Sequence, residues 1–276
     1  MKIGVSATTY TPQFSPILFK GRPSVTALLQ NVRDAGFDCV DLFVEEMNDA
    51  QLEETARAFH DTGLSLSLLL SFVAMSLGLN LTHPDLEKRQ ACVDFYIRQM
   101  FRTHKLGGKY VCIGLGRGNR GEGRSQDEFE KVLNESLLRL MDTSSKLGLW
   151  MVLEPCNRYE IDNLLTVDSC LEYMDRFGLD LGLLPDLFHM NIEETDIPAA
   201  IRRGGAKIAH MHVADTNRYA PGNAHMDYPS VIQALKDINY TGSLTMECPP
   251  VPDEQTCVSQ GFGYLSKLLR EMGVRN

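Results

Sequence analysis

The stretch KLGLWMVLE, residues 146–154, decides the fold. A glycine after a basic residue ends an amphipathic segment, the usual stop for a helix, and an apolar run then leads to a glutamate. Side chains alternate faces along a strand, so Trp150, Val152 and Glu154 share one face. Bulk lies below and a carboxylate above, as a strand needs if its inward face fills a core and its last residue reaches a site. Three later runs repeat the design. LGLLPD at 181–186 sets Leu184 under Asp186, KIAHMHV at 207–213 sets Ile208 and His210 under His212, and SLTMEC at 243–248 sets Thr245 under Glu247.

Outward from this stretch, short apolar runs alternate with longer amphipathic ones. The spacing predicts strands at 3–7, 38–43, 65–71, 110–115, 149–154, 180–185, 207–213 and 243–247. It predicts helices at 24–35, 48–61, 84–105, 125–147, 166–176, 194–203, 228–238 and 255–272. Glycines mark the joins in DAGFDCVDL, DTGLSLSL and RFGLDLGL, and Ser125 with Glu128 forms a capping box ahead of DEFEKVL. Eight strand-then-helix units imply a parallel sheet, and eight is the number that closes into a (β/α)8 TIM barrel, whose sites lie at the C-terminal strand ends. An open doubly wound sheet is the alternative architecture. With no Pro/Ser/Gly-rich linker, residues 1–276 are expected to form one barrel domain.

Composition fits a freely diffusing enzyme. A net charge of −9 argues against a nucleic-acid-gripping protein, which needs clustered Lys and Arg. Seven scattered cysteines without a CxxC pair indicate neither a disulfide framework nor a structural zinc site. MKIGVSATTY lacks the apolar core of a signal peptide, and no apolar run reaches about 18 residues, so a cytoplasmic location without a membrane partner is expected.

A lone acidic residue after a strand is ordinarily solvated or caps the next helix. Four together are different. Barrel closure brings Glu154, Asp186, His212 and Glu247 round one mouth, where unpaired acidic and imidazole groups are costly unless a cation or substrate satisfies them. His210, one layer deeper, is expected to be a hydrogen-bonded core histidine. Three carboxylates and one imidazole suit Mn²⁺, Mg²⁺ or Co²⁺ better than a closed structural zinc, and Mn²⁺ is the expected ion.

The strings LEPCNRYE at 153–160, PDLFHMNIEE at 185–194, HMHVADTNRYAPG at 210–222 and MECP at 246–249 resemble the signature segments of the ketose 3-epimerases, the D-tagatose and D-psicose 3-epimerases among the xylose-isomerase-like TIM barrels. The resemblance is close over the second half of the chain and confined to βα rhythm in the first. It implies that Glu154, Asp186, His212 and Glu247 bind the metal, that Glu154 and Glu247 are the acid/base pair, and that Glu160, His189 and Arg218 hold substrate oxygens. The chain departs from the pattern in its single tryptophan, Trp150, which the strand reading buries; the indole walls several relatives place round the sugar are missing or replaced.

Removing a proton beside a carbonyl leaves an enediolate that needs charge stabilisation as it forms, and inverting the carbon needs a second carboxyl group on the opposite face. The paired glutamates therefore favour an epimerase over an aldose–ketose isomerase, hydroxypyruvate isomerase included, or a keto-sugar or inosose dehydratase on the same scaffold. An abasic-site endonuclease, which needs more ligands and a basic surface, fits least, and a non-catalytic sugar-binding or scaffold role would make the paired glutamates redundant. GRGNRG at 116–121 matches G-x-G-x-x-G but sits among eight repeated units instead of a Rossmann half. Cys156 and Cys248 adjoin the glutamates but are disfavoured as nucleophiles, and Met75, Met100 and Met141 are read as core filler. Arg117, Arg120 and Arg124 in GLGRGNRGEGR are read as charges on a mobile, solvated loop. A small, non-phosphorylated keto sugar is the expected substrate, handled by a homo-oligomer, dimer or tetramer, with no nucleic-acid partner.

Overall fold

The computed structural model describes residues 1–10, 17–20 and 24–275. Eight parallel strands run β1 (Lys2–Thr8), β2 (Cys39–Phe43), β3 (Ser65–Leu70), β4 (Tyr110–Ile113), β5 (Trp150–Leu153), β6 (Gly182–Leu183), β7 (Met211–Val213) and β8 (Ser243–Met246), paired in the order β6-β5-β4-β3-β2-β1-β8-β7. Single bridges from Leu183 to Ile208 and from Asp186 to His212 join β6 to β7 and close the ring. Around it lie α1 (Val25–Asp34), α2 (Asp49–Thr62), α3 (Val73–Ser76), α4 (Leu86–Lys105), α5 (Gln126–Lys146), α6 (Val167–Phe177), α7 (Leu187–Glu193), α8 (Ile197–Gly204), α9 (Tyr228–Asp237), α10 (Glu254–Cys257) and α11 (Gly263–Glu271). This is the TIM barrel read from the sequence, and none of the described helices is long and apolar enough to cross a membrane.

Pattern became structure by the expected local rules. The Ser125–Glu128 capping box is formed in both directions, and Asn48 with Gln51 does the same for α2. The large apolar layer lies between strands and helices, while a small inner cluster of Leu68, Cys112, Val152, Leu184 and Ala209 plugs the barrel. Gly182 belongs there for want of room: a Cβ would come within 3.0 Å of Val152 and 3.2 Å of Ala209 and Trp150.

The departures have physical causes. β6 and β7 are shorter than the predicted 180–185 and 207–213, because Pro185 has no N–H to donate to a ladder and the two strands meet only through bridges. A short helix that the sequence reading did not foresee, α7, starts directly after Asp186, and the helix predicted at 194–203 is α8. The predicted 255–272 helix is three pieces: a π-helical turn over Val258–Phe262 separates α10 from α11, with Gly261 pressed so tightly on Met246 that a Cβ would stand 2.4 Å from its methyl. Trp150 is half-buried at the base of the barrel instead of buried. Met75, far from filling the core, is 42% exposed.

Candidate active site

Glu154 follows β5, Asp186 follows β6 as the first residue before α7, His212 lies in β7 and Glu247 follows β8. Their side chains meet at the C-terminal mouth. His212 Nδ1 stands 3.5 Å from Glu154 Oε1 and 3.6 Å from Glu247 Oε1. Ligand atoms of Glu154, Asp186 and His212 all lie within 4.8 Å of one another. Asp186 serves two masters: Oδ1 accepts from Phe188 N at 2.9 Å and caps α7, while Oδ2 is buried with no hydrogen-bond partner. His212 Nδ1 is likewise buried and unpartnered. An orphaned carboxylate oxygen beside an orphaned imidazole nitrogen is the arrangement a divalent cation satisfies, and buried polar atoms are seldom left otherwise. The residues present thus fit a metal of the oxygen-and-imidazole kind.

The other nitrogen of His212 is fixed from across the barrel. Asp41, fully buried on β2, accepts from His212 Nε2 and His210 Nε2, each at 2.9 Å. That leaves Nδ1 facing the mouth, the carboxylate–histidine arrangement that orients metal-binding imidazoles. His210 is the core histidine expected, tied also to Ser243 Oγ at 3.0 Å.

Arg218 forms the rim. Its Nη2 donates to Glu247 Oε2 and its Nη1 to Glu160 Oε1, both at 3.1 Å, and its guanidinium lies 4.5 Å over the Phe188 ring. Its backbone is held at φ 62°, costly for a residue with a side chain. Asp215 sustains that loop by accepting from the backbone of Thr216, Gly222 and Met226. His189, 2% exposed on α7, is bonded to Asn157 at 2.7 Å, and its Nε2 lies 3.7 Å from Asp186 Oδ2. Glu160, His189 and Arg218 line the same cleft as Glu154, His212 and Glu247, and Arg218 Nη2 lies 3.8 Å from Asp186 Oδ2.

Without a cation the two glutamates are driven apart in proton affinity. Burial pushes Glu154 up, but the imidazole beside it outweighs burial and holds the carboxyl down at about 2. At Glu247 burial wins: helped by the carboxylates of Asp186 and Glu154, it lifts the group to about 7 against the pull of His212 and Arg218. His212 is itself held well above the usual imidazole range, because Glu247, Asp41 and Glu154 favour its charged form more than burial opposes it.

The arginine loop is where the sequence reading fails. Arg117 is fully buried, not solvated, and donates to the carbonyls of Gly114, Glu154, Asn163 and Leu164 and to Asn163 Oδ1 at 2.9–3.3 Å. It welds the segments after β4 and β5 together from beneath Glu154, and has no donor to spare for a ligand. Arg120 is exposed, and Arg124 binds the carbonyl of Thr82. Only a short turn over 115–117 follows β4, so no helix starts at the glycine-rich run as a dinucleotide site requires. Cys156 and Cys248 are buried, which pushes both thiols up and makes them poor nucleophiles. Asp41 and Arg117, both structural supports of the site, escaped the sequence reading.

A family model described as xylose isomerase-like TIM barrel matches residues 29–268. The chain is 29% identical over 226 residues to an L-ribulose 3-epimerase of Mesorhizobium japonicum, covering 79% of this chain and 73% of the relative. It is 29% identical over 261 residues to a D-psicose 3-epimerase of Enterocloster bolteae, covering 90% and 82%. Among solved structures, an L-ribulose 3-epimerase superposes with a TM-score of 0.84 at 23% identity, over 98% of this chain and 95% of the other. The 3-keto-D-glucoside 4-epimerase of Escherichia coli gives 0.82 at 22% identity, over 97% and 99%. All four are named epimerases, and three of them are ketose 3-epimerases, the kind the motif strings pointed to. The chain belongs to the xylose isomerase-like TIM barrel family.

Proposed function

We propose that this chain is a metal-dependent epimerase of a keto sugar, with Glu154 and Glu247 as its acid/base pair and Glu154, Asp186, His212 and Glu247 as the residues that hold the ion, Mn²⁺ ahead of Mg²⁺ or Co²⁺. The observation that carries the reading is the pair of buried atoms without a hydrogen-bond partner, Asp186 Oδ2 and His212 Nδ1, with Glu154 and Glu247 standing 3.5 and 3.6 Å from the latter. Two carboxyl groups at one mouth are what is needed to take a proton from one face of a carbon and return another to the opposite face.

Glu154, deprotonated, takes the proton from the carbon beside the carbonyl. Glu247 delivers a proton to the other face. A divalent ion held by these residues would supply Lewis-acid stabilisation of the charge that builds on the carbonyl oxygen. Arg218, braced between Glu160 and Glu247, and His189, braced by Asn157, orient substrate oxygens.

A non-phosphorylated substrate follows from the same inventory. Arg218 is committed to carboxylates, and Arg117 and Arg124 donate to backbone carbonyls. The relatives' names, L-ribulose 3-epimerase and D-psicose 3-epimerase, support inversion next to a ketone. We also take the protein to be a cytoplasmic homo-oligomer with one barrel domain per chain.

The test is turnover of a keto-sugar panel in D₂O, with and without chelator. Deuterium should appear at the inverted carbon, chelation should abolish turnover, and Mn²⁺ should restore it. Glu154→Gln and Glu247→Gln should each cut turnover by about 10²- to 10⁴-fold. Unlabelled product, or full activity of verified metal-free protein, sinks the reading.

A further inference from the structure

The cleft of about 1000 Å³, counted to its open rim, has a second compartment that the proposed chemistry does not use. Away from the carboxylates it continues over the ends of β2, β3 and β4, walled by Phe43, Leu70, Phe72, Met75, Tyr96 and Leu115. Phe43 and Phe72 stack with centroids 5.2 Å apart and planes 23° from parallel, making a flat floor. Met75 stands 42% exposed at the rim, an adaptable side chain with no core to fill. The Tyr96 hydroxyl marks the seam with the polar end. It occupies the space over Gly116 so fully that a Cβ there would lie 2.1 Å from it, and Gly114 two residues earlier leaves the same kind of room for Glu154 Oε2. The compartment reaches between β3 and β4, which pair only at Leu68 and Tyr110, toward α4. There Gln99, 5% exposed, carries an amide Nε2 with no hydrogen-bond partner.

A free hexulose has a hydroxyl on nearly every carbon, and each one pushed among these side chains would lose water without gaining a partner. The polar groups able to receive sugar oxygens are gathered at the other end, around Glu160, His189 and Arg218. Flat, largely apolar walls, with Ser71 and Thr103 among them and the unpaired Gln99 amide at the far end, suit a flat, apolar group with an acceptor at its tip.

We propose that this compartment is an aglycone subsite, so that the substrate is a keto sugar joined through a glycosidic oxygen to an aromatic group and not a free ketose. The inference rests on the epimerase reading for the sugar end and on the cleft walls alone for the aglycone end. A glycosidic bond locks the anomeric carbon, so the ketone must sit on another ring carbon and the inverted centre beside it.

Two arms separate the two readings. In the first, calorimetry measures binding of phenyl and methyl glucosides, both anomers, to the Mn²⁺-loaded protein, with no turnover required. The phenyl glucoside should bind at least about tenfold more tightly, equivalent to 1.4 kcal/mol, and Phe72→Ala with Met75→Ala should erase the difference while leaving methyl glucoside binding unchanged. Equal or undetectable binding of both overturns the aglycone subsite. In the second arm, kcat/KM is compared for the 3-keto derivatives of the two glucosides and for free hexuloses. Preference for the phenyl compound supports the subsite, whereas equal use of free hexuloses, unaffected by the double substitution, overturns it. If no compound takes up solvent deuterium, the epimerase reading fails and the calorimetric arm still decides the subsite. Phe72→Leu serves as a milder variant should the double substitution lower the melting temperature.

Discussion

The two sides of the cleft are built from the same βα units and share almost no chemistry. On the side of β5 to β8 every strand end carries an ionisable group, each tied to another through hydrogen bonds or close charge contacts: Glu154, Asp186, His212, Glu247, with Arg218 across the top. On the side of β2 to β4 the strand ends carry Phe43, Leu70 and, just beyond β4, Leu115. A charged network tolerates little change, since removing one member leaves the others buried and uncompensated. An apolar wall loses contact area by degrees. The barrel therefore separates what must stay fixed for chemistry from what can vary for recognition. Asp41 is the exception that links them, a β2 residue whose carboxylate accepts from His210 and His212 on the opposite side.

Three changes would break or sharpen this contrast. The largest effect is expected at Arg117, which supports the charged side from below without touching the cleft. Arg117→Met takes the side-chain donor from the carbonyls of Gly114, Glu154, Asn163 and Leu164, of which Gly114 keeps the backbone N–H of residue 117, and should cost about 3–5 kcal/mol, at about 1–3 kcal/mol for each buried acceptor left unsatisfied; denaturant unfolding checks it. An unchanged midpoint would mean the two segments hold together without it. Asp41→Asn should be milder. It keeps the volume but weakens the hold on His212, so the Mn²⁺ concentration needed for half-maximal turnover should rise about 10- to 100-fold with kcat at saturating metal much less affected. A fall in kcat alone, with metal dependence unmoved, would place Asp41 outside the metal's support.

The smallest effect is one of pH. Glu247, raised from the ordinary 4.5 to about 7, stabilises the metal-free fold below pH 4.5 and loses that contribution as pH rises through 7. His212, raised above its ordinary 6.5, acts in the same direction: its contribution is present below 6.5 and lost as pH climbs through its folded value. Metal binding displaces these protons. The melting temperature of metal-free protein should therefore fall between pH 5 and 8, while the gain on adding Mn²⁺ should grow over the same interval. A gain independent of pH would show that neither group gives up a proton to the ion.

The charged side was legible in the sequence because period-two alternation announces both the strand and the face of its last residue. Glu154, Asp186, His212 and Glu247 each end such a run, and the barrel geometry then requires them to meet. Asp41 was not legible. It sits inside CVDLF, a run that reads as an ordinary buried strand, and its partners lie 169 and 171 residues away. Arg117 was lost for a different reason: locally it is indistinguishable from Arg120, three residues on, and only the packing of the Asn163–Leu164 turn beneath it separates a buried clamp from an exposed charge. Met75 went astray because a methionine fills a core and lines a cleft with the same side chain. The short β6 followed from Pro185, whose missing N–H is visible in the sequence but whose consequence depends on which strand lies beside it.

Asp186 shows how closely site and scaffold are bound together. One oxygen begins a helix and the other faces the mouth. Asparagine would keep the cap and surrender the charge; glutamate would keep the charge and, one methylene longer, surrender the cap. No conservative exchange satisfies both, so this position has no neutral neighbour in sequence space, and the helix bearing His189 cannot drift away from the chemistry that Asp186 serves.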